Sequence, residues 1–146
     1  EIIALSKKEK CKIIYPEDLI VSKNLNGSPQ KKELSKILSD EMILDIGPKT
    51  IDKITKIIDN SKTILWNGPA GYFENKNFAF GTNSIAKKIS ENTINKSLIS
   101  IVGGGDTISA INKSQFKLSF THLSTAGGAF LEYLEGKDLP GLSVLK

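Results

Sequence analysis

The sequence predicts an α/β fold: a parallel sheet flanked by helices in a three-layer, Rossmann-like arrangement. Two observations lead there. Short apolar runs alternate along the chain with segments whose apolar residues recur at helical spacing, the pattern of strands joined by crossover helices. Four of those runs pass directly into turns of unusual composition, "DIGP", "WNGPAGYFE", "GGGDT" and "HLSTAGG". Right-handed crossovers carry the carboxyl ends of parallel strands to one sheet edge, beside the helix N-termini, where ligands of open α/β sheets bind. The least ordinary residues of the chain are therefore expected at that edge.

The first ten residues read as the back half of an amphipathic helix, and residue 1 is a glutamate, so the chain is expected to begin within a domain. "SKNLNGSPQKKE", Ser22 to Glu33, is polar, holds Gly27 and Pro29, and reads as a loop. "MILDIGP" is a short strand ending near Asp45. In "PKTIDKITKIIDN", Ile51, Ile54, Ile57 and Ile58 share one helical face, and Pro48 stands just before or within the first turn, where its missing N–H costs nothing. "KTILWNG" is the next strand, ending at Trp66. "GTNSIAKKISEN" sets Ile85 and Ile89 four apart behind a Thr82 or Asn83 cap. Leu98 to Val102 form a strand that feeds a helix starting near Asp106. "KLSFTHLS" is the last strand, and "GGAFLEYLEG" a helix stopped by Gly136.

At 146 residues the chain is one domain's worth of length, and at 39% hydrophobic it can build a core. No run approaches the ~18 apolar residues of a membrane span, and no signal-peptide pattern opens the chain. Cys11 stands alone, which excludes an internal disulfide and fits a reducing cytoplasm. All 20 basic residues are lysines, scattered singly and in pairs, against 16 acidic ones. Without arginine there is no bidentate readout of guanine and no arginine clamp for an acidic substrate. A solvated surface is expected, with no nucleic-acid footprint and no membrane partner.

Gly103, Gly104 and Gly105 follow an apolar strand, yet Asp106 comes next, a carboxylate that repels phosphate. Ile108 stands where a dinucleotide fingerprint has its last glycine, and the lysine of a P-loop is absent. The triplet is either a tight turn with Asp106 as a helix N-cap, or a phosphate loop whose ligand brings its own metal. Mg²⁺ commonly takes one or two carboxylates together with substrate phosphates, so on the second reading Asp106 holds the ion and the Thr107 hydroxyl and nearby amides meet phosphate oxygens. Ala126, Gly127, Gly128 and Ala129 open another helix with small residues, suiting either close packing or uncovered N–H groups aimed at an oxyanion. Asn67 suits a turn or a ligand contact, and Glu74 is an exposed charge or an acceptor for a ribose diol. Trp66, Tyr72 and Phe73 read as core before base-stacking platforms. His122, the one histidine, supports no His-based metal site or triad and is expected to order the last strand–helix junction.

Together "DIGPKT", "ILWNGPAGYFE", "FAFGT", "VGGGDT" and "THLSTAGGAFLEYLEGKDLPGL" closely resemble, in order and spacing, the carboxyl-terminal region of phosphoglycerate kinases. The resemblance implies that residues 1–146 are a nucleotide-binding, carboxyl-terminal domain, incomplete on its amino-terminal side, of a two-domain glycolytic enzyme. That enzyme exchanges a phosphoryl group between 1,3-bisphosphoglycerate and ADP, giving 3-phosphoglycerate and ATP, and is monomeric and cytoplasmic. It further implies that Asp106 faces Mg²⁺ and that Gly104, Gly105 and Thr107 form the loop for the phosphates of Mg-ADP or Mg-ATP. Glu74 would meet the ribose, Asn67, Pro69 and Tyr72 would flank the nucleotide, and Leu44 would lie against the adenine. Gly127 and Gly128 would present amides to the transferring phosphoryl, and the segment Leu123 to Thr125 resembles part of the family's hinge. Two positions depart from the pattern: Ala126 replaces a glycine, tolerable at negative φ, and Ile43 replaces a small residue at the adenine wall. The family's nucleotide-binding lysines and basic glycerate site have no counterpart in the chain, so inactivity alone is implied. A non-catalytic nucleotide-binding module is the alternative. A nicotinamide-binding half is disfavoured by Asp106 and the missing fingerprint glycine.

Overall fold

The computed structural model describes residues 1–145. Helix α1 (Ile2–Lys8) opens the chain where a helix is expected, with Ile2, Ile3 and Leu5 all more than half exposed. Strands β1 (Asp18–Ser22), β2 (Gln30–Glu33) and β3 (Met42–Ile46) then form an antiparallel sheet in the order β2-β1-β3. The polar stretch Ser22 to Glu33 is therefore not loop throughout. Ser22 ends one strand and Gln30–Glu33 make another, held by pairing with β1 even though "QKKE" has no apolar side to bury. "MILDI" is a strand as expected, but it runs antiparallel to β1, with Ile20 opposite Asp45, and does not join the parallel sheet.

The α/β unit follows as α2 (Pro48–Asp59), β4 (Thr63–Asn67), α3 (Phe80–Asn95), β5 (Ile99–Gly103), α4 (Gly105–Lys113), β6 (His122–Ser124), α5 (Gly127–Leu134) and α6 (Pro140–Ser143). Strands β4, β5 and β6 are parallel in that order, so the fold class read from the sequence holds for this part of the chain. β6 is shorter than expected. Only His122–Ser124 pair with β5, while Leu118 and Phe120 pack against the core cluster. That cluster consists of Ile58, Trp66, Ile85, Ala86, Ile89, Leu98 and Val102, with the Trp66 and Phe120 rings 6.3 Å apart. Of the four isoleucines on the expected α2 face, Ile51 and Ile58 are buried and Ile57 is exposed at the edge.

Two helix boundaries carry information. α3 begins at Phe80 after Ala79, so neither Thr82 nor Asn83 caps it. Thr82 lies inside the first turn, buried, and its Oγ1 accepts the N–H groups of Ala70 at 3.0 Å and Gly71 at 3.2 Å. Its hydroxyl serves the turn after β4 because that turn crosses the start of α3. Gly136 ends α5 as expected, with φ +79°.

Candidate functional site

The parallel strands stop level with one another. Asn67, Gly103 and Ser124 are register partners across β4, β5 and β6, so the turns after them leave the sheet side by side. Each strand end is fixed by a different device. After β4, the Trp66 indole N–H donates to the carbonyl of Gly68 at 2.8 Å, and the Gly68 N–H donates to Thr107 Oγ1 at 2.8 Å. After β5, Gly104 turns the chain at φ +94°, a conformation side chains rarely adopt. A Cβ on Gly104 would lie 2.9 Å from Asn67 Oδ1 and 3.3 Å from Thr107 Oγ1. After β6, Ala126 at φ −85° caps α5, and its N–H donates to Ser124 Oγ at 3.3 Å. The methyl at that position is accommodated by its negative φ.

Two helix N-termini meet here. The first bond of α4 runs from the Ile108 N–H to the Gly104 carbonyl, and that of α5 from the Phe130 N–H to the Ala126 carbonyl. The amides of Gly105, Asp106 and Thr107, and those of Gly127, Gly128 and Ala129, are thus left without an intrahelical acceptor. A Cβ on Gly127 would lie 2.7 Å from Gly104 Cα and 3.1 Å from its nitrogen, so backbone touches backbone. Bringing two partly positive helix ends together is unfavourable unless negative charge sits near them. Asp106, exposed in the first turn of α4, supplies part of it, and a phosphate group would supply more.

Asp106 pairs with no lysine or histidine among the described residues. Nor do three or more His, Cys, Asp or Glu side chains gather anywhere among them to make a metal cage. A lone open carboxylate fits Mg²⁺, which is held by one or two carboxylates and completes its shell with phosphate and water oxygens. Thr107 is wholly buried, and its hydroxyl oxygen accepts the Gly68 N–H, which fastens the β4 turn to the first turn of α4.

A cleft of about 270 Å³ opens between β3 and the β4 turn, and Leu44, Pro69 and Tyr72 line it together with Ile43 and Asp45. Three of the expected nucleotide residues are thus gathered in one apolar slot with room for a planar base. The Tyr72 N–H donates to the Leu44 carbonyl at 2.7 Å, which fixes the two walls against each other. Ile43, the bulkier residue where the resemblance implied an adenine wall, lines the same slot and remains exposed. Glu74 and Asn67 are exposed and lie outside the lining. Trp66 is core, as read, and His122 is exposed on β6. Two residues beside the slot have roles the sequence does not assign: Thr82, expected as a helix cap, and Asp45. A charged residue inside the apolar run "MILDI" was the available signal for the second, because a carboxylate there needs a specific partner.

Comparison with known proteins bears on what this site serves. The family model described as phosphoglycerate kinase matches residues 1–137. The chain is 44% identical to the phosphoglycerate kinase of Zymomonas mobilis and 45% identical to that of Bradyrhizobium diazoefficiens, in each case over 99% of this chain and 37% of the relative. Among solved structures, that of phosphoglycerate kinase from Coxiella burnetii superposes with a TM-score of 0.88 at 37% identity, covering 98% of this chain and 36% of the other. The phosphoglycerate kinase of Pyrococcus horikoshii superposes with a TM-score of 0.81 at 32% identity, over 97% and 34%. The chain thus spans little more than a third of the length of the relatives it matches.

Proposed function

The chain belongs to the phosphoglycerate kinase family, and on that premise we propose that it supplies the Mg-nucleotide half-site for reversible phosphoryl transfer from 1,3-bisphosphoglycerate to ADP. The observation that carries this reading is the meeting of two uncovered helix N-termini through Gly104 and Gly127, with the Asp106 carboxylate beside them and the apolar slot of Leu44, Pro69 and Tyr72 on the neighbouring turn. The slot takes the adenine, and Glu74, exposed at the far end of its turn, accepts from the ribose hydroxyls. Asn67 lies between the two phosphate loops and keeps them at their spacing. Amides of the Gly104–Gly105 turn hold the nucleotide phosphates, while those of Gly127 and Gly128 face the group in transfer.

In the reaction an oxygen of the ADP terminal phosphate attacks the acyl phosphate phosphorus. The bond from that phosphorus to the acyl oxygen breaks, and 3-phosphoglycerate leaves as a carboxylate. Such transfers depend on positioning and on charge stabilisation more than on proton chemistry. Asp106 is the residue that would hold Mg²⁺, whose charge offsets that of the polyphosphate. The chain has no arginine, and none of its described lysines is among the residues of either loop or the slot. We therefore expect no turnover from it alone, and a partner segment carrying the glycerate site and further cations. No helix among the described residues is long and apolar enough to cross a membrane, and the single thiol suits a reducing cytoplasm.

Titration calorimetry with Mg-ADP tests the assignment. Asp106→Ala is expected to weaken binding about tenfold, ~1.4 kcal/mol, and to remove most of its dependence on Mg²⁺. Identical titrations for the two proteins would refute the metal assignment. Adding the amino-terminal portion of a relative and assaying ATP formation separates a kinase from a non-catalytic module: restored turnover supports the kinase, and intact nucleotide binding without turnover supports the module.

A further inference from the structure

Asp45 is 2% exposed, pairs with no cation among the described residues, and lines the same slot as Leu44 and Tyr72. Its Oδ2 accepts the Gly81 N–H at 2.8 Å, in the first turn of α3, and its Oδ1 accepts the Ile46 N–H at 2.8 Å. A Cβ on Gly71 or on Gly81 would collide with the carboxylate, so both backbones lie flat against it. The turn carrying Pro69 and Tyr72 is therefore clamped between β3 and α3: Asp45 fills the space between them, and Thr82 takes the Ala70 and Gly71 amides from the other side.

We propose that Asp45 is a positioning residue for the base-binding slot, its carboxylate setting the distance of the Pro69–Tyr72 turn from Leu44 by holding that turn and the start of α3 against β3. The proposal rests on the reading of the slot as the nucleoside site. It assigns Asp45 no contact with ligand.

The charge of the group matters to the clamp. Burial pushes the carboxyl up to about 6, against the pull of the Gly81, Ile46 and Phe80 amides. Among the described residues no charged side chain offsets that burial. On β1, Asp18 is engaged with Lys49 and Thr50, and on α3, Lys88 pairs with Asp59 and Lys87 with Glu91. Tyr72 is the other titratable group of the slot, and Glu74 is exposed outside it. Once protonated, the carboxyl has a donor hydrogen facing N–H donors, so one of its accepted bonds is lost and the clamp loosens.

The test compares two probes on the full chain, Mg-ADP and Mg-pyrophosphate, because only the first occupies the slot. Asp45→Asn is expected to weaken Mg-ADP about tenfold and to leave Mg-pyrophosphate within about twofold. In the unaltered chain the preference for Mg-ADP over Mg-pyrophosphate should fall as the pH drops through about 6. The two probes' own phosphate ionisations differ and are subtracted using the titration curves of the free Mg complexes, groups beside the phosphates cancel in the ratio, and Asp45→Asn should flatten what remains. Equal losses for both probes, or a preference that does not change with pH, would overturn the proposal while leaving the nucleotide reading intact. Absence of Mg-ADP binding by the unaltered chain would remove that reading and the proposal with it. The pH profile needs no variant, so it decides the matter even if Asp45→Asn fails to fold.

Discussion

Gly127→Ala is expected to lower stability by about 1–3 kcal/mol and to cost nucleotide affinity beyond the loss in Asp106→Ala, because the added methyl overpacks a backbone contact. That Cβ would stand 2.7 Å from Gly104 Cα, and neither partner can step aside. Gly104 is held at φ +94° against Asn67, and Gly127 begins α5 beneath Ala126. The methyl is accommodated only if the two helix N-termini separate, which spreads the amides proposed above to share one polyphosphate. Gly128→Ala is the control, since its Cβ would meet nothing within 4 Å. Urea unfolding should show Gly127→Ala with a lower midpoint and an unchanged slope, and Gly128→Ala near the parent or above it. Equal midpoints for the two variants would mean that the Gly104–Gly127 approach is not tight in solution.

Asp18→Ala should be costlier still, about 2–4 kcal/mol, because it strips a buried cap and leaves donors without acceptors. The Asp18 side chain, 1% exposed, reaches across from β1 to the start of α2, where Oδ1 accepts the Thr50 N–H at 2.9 Å and Oδ2 the Lys49 N–H at 3.1 Å. The Thr50 hydroxyl lies 2.9 Å from both the Asp18 carbonyl and Oδ1, and accepts the Asp18 N–H in return. Burial pushes the carboxyl upward, but the hydrogen bonds from Thr50 and Lys49 outweigh it and hold it below the ordinary value of 3.8. A depressed carboxyl contributes stability that is present above its unfolded value and is lost as the pH falls through the folded one. Asp45 is shifted the other way because protonation relieves a buried charge, a gain that outweighs the amide bond it gives up; it favours the folded state at low pH and withdraws that contribution, about 3 kcal/mol, as the pH rises from 3.8 through about 6. Asp18→Ala should therefore flatten the acid limb of the stability profile, and Asp45→Asn the limb between about pH 4 and pH 6. Chemical unfolding across that range checks both, and an unchanged acid limb in Asp18→Ala would refute the assignment of the cap.

Local pattern was enough to read much of this protein. The periods of Ile51, Ile54 and Ile58 and of Ile85 and Ile89 located two helices, and the apolar runs ending at Trp66 and Val102 located two parallel strands. Those signals are legible because a helix or strand repeats its buried face within a few residues. Of Leu44, Asn67, Pro69, Tyr72 and Glu74, which the family resemblance gathers about one nucleotide, the fold brings Leu44, Pro69 and Tyr72 to one slot and leaves Asn67 and Glu74 outside its lining.

The sequence by itself determined the α/β class, the family and the places where unusual turns follow the strands. Tertiary structure decided which strands pair and what the polar residues inside those turns do. β2 is a strand only because β1 lies beside it, and β3 left the parallel sheet for the same partner. Thr107 and Thr82 spend their hydroxyls on turns 39 and 12 residues away, and Asp18 caps a helix 32 residues on. Hydrogen bonds of that span leave no period in the chain, because donor and acceptor meet only after the elements between them have packed.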